Sequence, residues 1–580
     1  MIETINKNIE IFISSLDGVS NDLVKSVINK SSTSISENLD NGHLTTNVCM
    51  VAASTLKLNP KELADNLEIN LNKLELYKEV KAAGPGFINI TLHRKDFSSV
   101  LCRIIEAKEK FGKSNIGNNR KIQIEFVSAN PTGPLHVGHG RGAVYGDVIG
   151  RILKATGSSV EKEYYINDAG RQIDILTASV ILKIMQKEFN GFFPQNAYKG
   201  EYIESIGKEF IINNIVKYDD VGSILKDLSS DPEEEIDQII VDLKRLDEKI
   251  WKLVKSFSLE SIIKSIKNDL KDFNVDFDSW FNESSLGELS DSSSQISNSI
   301  NKLKIDGMAY EKDGAVWLNT DSSGDDKHRV LVRDDGRATY FASDVAYHKN
   351  KVDRGYDDLI NVWGADHHGY IKRIEASIEA LGSNKEKLIV KLVQFANLFK
   401  KGKKVKMSTR TGEFFTLKDL IEEIGADAAR FYYLSKQADQ HLDFDLDLAK
   451  SDSKENIFYY IQYAHARIFS LEKKYKEMNP DLDINVEAIE ESLYKKCDNL
   501  IHEISKYPNV VNKSAVTLQP HLIIFYLRDL SQLFHSFYND NHVLSESKDN
   551  MQSIVYCLSA VRQTIANGLN LLGIKPMQKM

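Results

Sequence analysis

One stretch constrains this chain more than any other. Residues 121–154 read KIQIEFVSANPTGPLHVGHGRGAVYGDVIGRILK. Ile122, Ile124, Phe126 and Val127 form a short apolar, β-rich run, as in a buried parallel strand. Pro131, Gly133 and Pro134 then exclude a helix. His136-Val137-Gly138-His139 follows, and a helical pattern continues to Lys154. The predicted order is strand, tight loop, helix. A helix N-terminus offers unpaired N–H groups and a partial positive charge, which suits an anion. His136 and His139 are three apart and share a helix face. Two imidazoles there can donate hydrogen bonds to a phosphate whose charge grows in a transition state, or simply cap the helix with solvated rings. Gly138, Gly142, Gly146 and Gly150 recur every four residues; for the later ones close packing is the plainer reading.

With 580 residues the chain has room for several domains. Its apolar runs are too short to span a bilayer. The first twenty residues lack a signal pattern and contain no arginine, against a transit peptide. Cys49, Cys102, Cys497 and Cys557 lie far apart with no CxxC pair. Neither structural zinc nor a disulfide framework is expected, and a reducing cytoplasm is. The net charge of −9 does not announce a nucleic-acid binder, although local basic patches decide that question.

Around the core the pattern divides the chain. Residues 1–112 read as an α+β unit, with helical stretches around 42–56 and a Gly-Pro turn feeding a strand at 82–92. Residues 113–450 carry the α/β pattern, with a polar, largely helical insertion at about 178–300. Asp231 to Asp237 has the look of a helix start, and 273–286 alternates like a strand. Residues 314–319, 330–333 and 338–341 read as strands around turns, before a helix from Ser343 with Asp344 in its first turn. Leu359 to Trp363 repeats the strand theme. Gly364, Asp366, His367 and His368 fall at its carboxyl end, which lines the ligand crevice in doubly wound sheets. No further ligands are spaced to make His367 and His368 a zinc site. The stretch 400–417, KKGKKVKMSTRTGEFFTL, is either a solvated basic turn or a mobile loop that closes over a triphosphate. In 451–580, Ile457, Tyr460, Ile461, Ala464 and Ile468 keep helical spacing, as do Leu522, Phe525, Leu527, Leu530, Phe534 and Phe537. The expected fold class is multidomain: a Rossmann-like doubly wound parallel-sheet core with insertions, an N-terminal α+β domain and a C-terminal all-α helix bundle.

HVGH after a strand and a proline-containing loop resembles the HIGH motif of class I aminoacyl-tRNA synthetases. The longer string EFVSANPTGPLHVGHGRGAVYGD (125–147), followed by YYINDAGRQI (164–173), is similar to bacterial-type arginyl-tRNA synthetases specifically. Residues 42–56 and 82–92 resemble that family's N-terminal additional domain. Lys406-Met407-Ser408 resembles the start of the KMSKS motif, from which the chain departs at Thr409 and Arg410. Residues 459–468 and the ending NGLNLLGIKPMQKM resemble the anticodon-binding domain. The resemblance covers nearly the whole chain.

It implies ATP-dependent activation of L-arginine to arginyl-adenylate and transfer to the terminal adenosine of tRNA(Arg). It implies that His136, His139 and Lys406 are catalytic, and that His136, Gly138, His139, Gly364, Asp366, His367, Lys406, Met407 and Ser408 line the ATP site. Glu125, Asn130, Tyr340 and Asp344 would bind arginine, since carboxylates match a planar guanidinium. Read without the resemblance, Glu125 could be a strand-end salt bridge and Asp344 a helix cap. Magnesium would come with ATP, and no protein-held metal is expected. The N-terminal domain would touch the tRNA elbow, and Tyr459 and Tyr463 could stack on unpaired bases. A cytoplasmic monomer with no membrane partner is implied. Which of Lys403, Lys404, Lys406 and Arg410 replaces the motif's second lysine stays open, as does whether Asp366 and His367 meet ATP or arginine. Two other classes stay open: a small-molecule adenylyl-transferring ligase, and a non-catalytic RNA-binding relative. The two terminal domains weigh against the first; intact His136, Gly138, His139 and Lys406 weigh against the second.

Overall fold

The computed structural model describes the chain except for Met1 and residues 188–190, 216–223, 225–227, 321–326, 406–414 and 481–494. Near the N-terminus, β1 (Thr33–Ile35), β2 (Leu44–Thr46), β3 (Glu79–Ala83) and β4 (Phe87–Thr91) make an antiparallel sheet of order β1-β2-β4-β3. Helices Ile2–Ser14, Val48–Leu56 and Pro60–Asn72 pack on it, while Arg94–Ala107 packs on the C-terminal helices Asp498–Ser505 and Lys548–Leu571. Asn59 and Pro60 explain one helix start: the Asn59 side chain accepts from Lys61 N and the proline takes the first position.

The central sheet comprises β5 (Lys121–Glu125), β6 (Ser159–Ile166), β7 (Ser279–Asn282), β11 (Asp358–Gly364) and β12 (Leu388–Val393), after a small antiparallel sheet of β8 (Ala309–Lys312), β9 (Ala315–Leu318) and β10 (Arg329–Val332). Its order is β12-β11-β5-β6-β7 and every pairing is parallel. The chain steps outward from β5 to β7, then resumes on the other side at β11. The switch point therefore lies between β5 and β11, where a doubly wound sheet opens its crevice. This is the Rossmann-like sheet expected for the core.

Two expectations need correction. The alternation over 273–286 yields a strand only at Ser279–Asn282, and that strand returns to the central sheet beside β6. The helices Glu201–Asn213, Pro232–Leu246 and Glu248–Asp272 precede it and pack on the helix Arg171–Ile184. Residues 338–341 are not a strand. The Thr339 hydroxyl accepts from Ala342 N and starts the helix Tyr340–Asp353 three residues early, so Asp344 sits one turn past the helix start.

After β13 (Ala396–Lys400), β14 (Lys403–Lys404) and β15 (Leu442–Asp445), the chain ends in helices Ile457–Met478, Asp498–Ser505, Tyr507–Thr517, His521–Asp540 and Lys548–Leu571. This bundle touches the N-terminal unit directly. His502 Nε2 lies 2.8 Å from Ser36 O, and Arg94 pairs with Asp498. Among the described residues no helix is long and apolar enough to cross a membrane.

The helix Val137–Ala155 is locked at its middle. Asp147 accepts from Arg430 and Arg151 at 2.7 Å and from Lys162 at 3.0 Å, with no exposed surface on its side chain. Arg430 also donates to the carbonyls of Leu572, Phe273 and Asn274. Breaking a buried pair strands its partner charge. Asp147→Ala is expected to cost about 3–5 kcal/mol, read as an earlier urea transition of the full chain; an unmoved midpoint would count against this hub.

Candidate active site

The strand β5 ends at Glu125, and the backbone then takes an unusual path. Val127 and Ser128 both have positive φ, 66° and 40°. Left-handed backbone is strained for a β-branched residue and persists where surroundings over-determine it. Here the turn brings Ser128 Oγ back to donate to Glu125 Oε1 at 3.0 Å while accepting from Tyr165 N at 3.2 Å.

The following loop ends at His136, the N-cap of the long helix. Its Nδ1 accepts from Gly138 N at 3.0 Å, and His139 Nδ1 accepts from His136 N at 3.3 Å. This is a capping box built from two histidines. The rings stack, with centroids 3.8 Å apart. With Nδ1 accepting, each neutral ring carries its hydrogen on Nε2. Burial, helped by the neighbouring His136, lowers the His139 pKa to about 3, and burial lowers that of His136. The pair is therefore neutral at physiological pH. Gly138 is required by close approach: a Cβ there would lie 2.7 Å from His136 Cε1. Gly146 and Gly150 serve packing instead, against Phe126 and Lys162.

Across the switch point, β11 ends at Gly364, and a 3-10 turn, Ala365–Tyr370, carries Asp366 and His367. Both side chains are 60% exposed, in keeping with an open crevice rim. Phe395, 45% exposed, approaches the Cβ positions of both Gly138 and Gly364, at 3.4 and 3.7 Å. The sequence reading did not single it out.

Behind this rim lies an acidic pocket. Asp344 accepts from the Tyr370 hydroxyl and feels Glu125 and Glu283. Burial, reinforced by those two carboxylates, raises its pKa to about 7. Glu283, in the turn after β7, is held by the hydroxyls of Ser343 and Tyr165, and burial raises its pKa too. Glu125 differs, because its Oε2 pairs with Lys351 Nζ at 2.5 Å. The strand-end salt bridge considered for Glu125 is thus present, with a lysine from the Asp344 helix. Asn130 donates to Gln172 Oε1 at 2.9 Å, and Tyr340, 64% exposed, reaches toward Gly170.

Glu283 and Lys351 were missed. Lys351 had a signal: Asp344, His348 and Lys351 fall at i, i+4 and i+7, a polar stripe on a face that packs inward. Glu283 had none, since it is brought in by β7. Lys406, Met407 and Ser408 lie outside the described residues, with Thr409 and Arg410. Their flanks are anchored: β14 pairs with β13, and Leu417 N donates to Leu135 O at 2.8 Å beside a His136–Thr416 bridge. Tyr459 and Tyr463 are in the bundle, on helix Ile457–Met478. Their rings stack at 5.9 Å, and Tyr463 also stacks on His535 at 5.5 Å.

A parallel doubly wound sheet whose switch point receives a His-x-x-His helix start is the core of a class I aminoacyl-tRNA synthetase. Residues 100–445 match the family model "tRNA synthetases class I (R), catalytic domain", residues 3–92 the "Arginyl tRNA synthetase N terminal domain", and 461–580 the "DALR anticodon binding domain". The chain is 44% identical over 548 residues to the arginine–tRNA ligase of Vesicomyosocius okutanii, covering 93% of each chain. It is 40% identical over 576 residues to that of Acinetobacter baumannii strain AYE, covering 95% of this chain and 96% of the relative. The Thermus thermophilus arginyl-tRNA synthetase shares the fold, with a TM-score of 0.74 at 18% identity over 99% of this chain and all of that one. The chain belongs to the arginyl-tRNA synthetase family, the arginine–tRNA ligases.

Gly138→Ala is expected to push the His136 ring aside and slow adenylate formation by about 100-fold, with thermal unfolding unchanged. Single-turnover rates and a melt separate the two; an unchanged rate would remove His136 from phosphate chemistry.

Proposed function

We propose that arginine and ATP react in the crevice between the carboxyl ends of β5 and β11. The enzyme ligates arginine to tRNA in two steps. The arginine carboxylate attacks the α-phosphorus of ATP, giving arginyl-adenylate and pyrophosphate, and a hydroxyl of the terminal adenosine of the tRNA then attacks the adenylate's carbonyl carbon, forming the ester and releasing AMP. The reading rests on one juxtaposition: a helix N-terminus bearing two neutral imidazoles stands across the switch point from a buried acidic pocket. One end suits phosphate and the other a cation.

Asp344 and Glu283 take the guanidinium, since hydroxyl groups rather than cations hold them. Glu125, Asn130 and Tyr340 hold the rest of the amino acid. His136 and His139 donate to the phosphates, with Gly138 allowing close approach. Gly364, Asp366 and His367 receive the ribose, and Phe395 offers its face to adenine. Lys406, Met407 and Ser408 close over the pyrophosphate, and catalysis is mainly positioning and charge stabilisation. Magnesium arrives on the ATP phosphates. The N-terminal unit takes the tRNA elbow and the bundle its anticodon loop, with Tyr459 and Tyr463 as stacking faces. The enzyme works as a cytoplasmic monomer.

Arginine-dependent ATP–pyrophosphate exchange in the presence of tRNA carrying arginine anticodons tests the whole reading. No exchange from folded protein, with or without tRNA, would overturn it. Asp344→Ala should raise the arginine KM roughly 10- to 100-fold and leave the ATP KM nearly unchanged; collapse of ATP affinity would refute the guanidinium assignment. The pH dependence has a definite sign. Asp344 holds its proton up to about 7, and a cation binds only the ionised form, so arginine affinity rises with pH through that range. Calorimetry in buffers of different ionisation enthalpy should detect proton release on binding near neutrality and none well above it.

A further inference from the structure

Lys351 has no exposed side-chain surface, yet nothing in the two-step reaction calls for it. Its Nζ donates to Glu125 Oε2 at 2.5 Å and to Asn361 Oδ1 at 2.9 Å, and stands 4.4 Å from the centroid of the Tyr347 ring. Asn361, fully buried in β11, turns its Nδ2 to His348 Nε2 at 2.9 Å. His348 Nδ1 lies 2.8 Å from Asp344 O. Burial lowers the His348 pKa to about 3, so the ring is neutral. The hydrogen bonds then have one consistent direction. Lysine donates to the Asn361 oxygen, the Asn361 amide donates to Nε2, and Nδ1–H donates to the carbonyl of Asp344. Each donor finds an acceptor, as a buried polar network requires.

The network runs from Glu125 on β5, through β11, to the helix bearing Asp344. It joins the carboxylate of Glu125 to the backbone carbonyl of Asp344, two residues that the resemblance assigns to arginine and that are far apart in the chain. It also places one lysine beside a cluster of three acids. A buried ammonium is costly to isolate and costly to remove once paired. We propose that Lys351 is a positioning residue for arginine: it fixes Glu125 and the Asp344 helix through Asn361 and His348, and neutralises one of the three acids so that the other two are left for the guanidinium.

This rests on the reading of the pocket as the arginine site. The groups facing Asp344 are Glu125 from β5, Tyr165 from β6, Glu283 from the turn after β7, Tyr370 from the turn after β11, and His348 and Lys351 on its own helix. Arg329 and Arg373 act on Tyr370 beyond it. Glu125 and Glu283 oppose ionisation of Asp344, and Lys351 favours it. Removing Lys351 therefore makes Asp344 harder to ionise, and removing Glu125 makes it easier.

The test is the pH profile of the arginine KM, with the ATP KM alongside, for the full-length enzyme in tRNA-dependent exchange. Lys351→Met should raise the arginine KM roughly 10-fold or more and move the profile's midpoint up by about one pH unit, with the ATP KM little changed. Lys351→Arg should restore the midpoint. Glu125→Gln should move it down, and serves if Lys351→Met does not fold. A merely structural lysine would lower the melting temperature and kcat without moving the midpoint. A folded Lys351→Met, or failing that Glu125→Gln, with an unmoved midpoint overturns the proposal. Asp344→Asn separates the two failures. If it abolishes the pH dependence while Lys351→Met leaves the profile in place, only the role of Lys351 falls. If Asp344→Asn changes neither the arginine KM nor its profile, the pocket reading falls, and this inference with it.

Discussion

Three cations converge on the carboxylate of Asp147, which water does not reach. One is on its own helix, one on β6, and the third, Arg430, carries the contact to the carbonyl of Leu572 near the C-terminus. Such a cluster tolerates little displacement, because any slippage leaves a buried charge unpaired. A second buried guanidinium on the same helix, Arg141, donates to the carbonyls of Tyr433, Gln394, Gln437 and Gln440. Together they prevent the helix Val137–Ala155 from sliding or turning. The position of the two histidines at its start is thus set by contacts in its second turn and at its middle.

The opposite wall of the crevice is organised by repulsion as much as attraction. Glu125, Glu283 and Asp344 crowd one another, and the crowding is relieved by pairing Glu125 with Lys351 and by raising the pKa of Asp344 to about 7. The strained backbone at Val127 and Ser128 belongs to the same device, since it lets Ser128 hold Glu125 from the other side. Carboxylates crowded in this way favour a cation over a neutral group, which would leave them unpaired.

Much of the phosphate side was legible because its determinants are local. A β-rich run, two prolines and a histidine pair three apart fall within one short stretch, and the capping box needs only neighbouring residues. The C-terminal helices were legible from apolar spacing for the same reason. The helix at Tyr340 was misread at its start, because Thr339 as an N-cap outweighed the extended look of 338–341. Glu283 was invisible, since an acid after a short strand carries no sign of which strand its own will join. Lys351 was visible as part of a polar stripe, but its partner Glu125 lies more than two hundred positions away.

By itself, then, the amino-acid sequence determined the layered α/β core, the helix start with its histidine pair, the family and the helical C-terminal bundle. These rest on short-range stereochemistry and on the periodicity of burial, which a chain states in its own order. Only the tertiary structure decided which acids share the pocket, which lysine compensates them and which arginine holds the signature helix. Those choices depend on Coulomb energy in a low-dielectric interior, where a few ångströms decide the outcome and sequence distance counts for nothing.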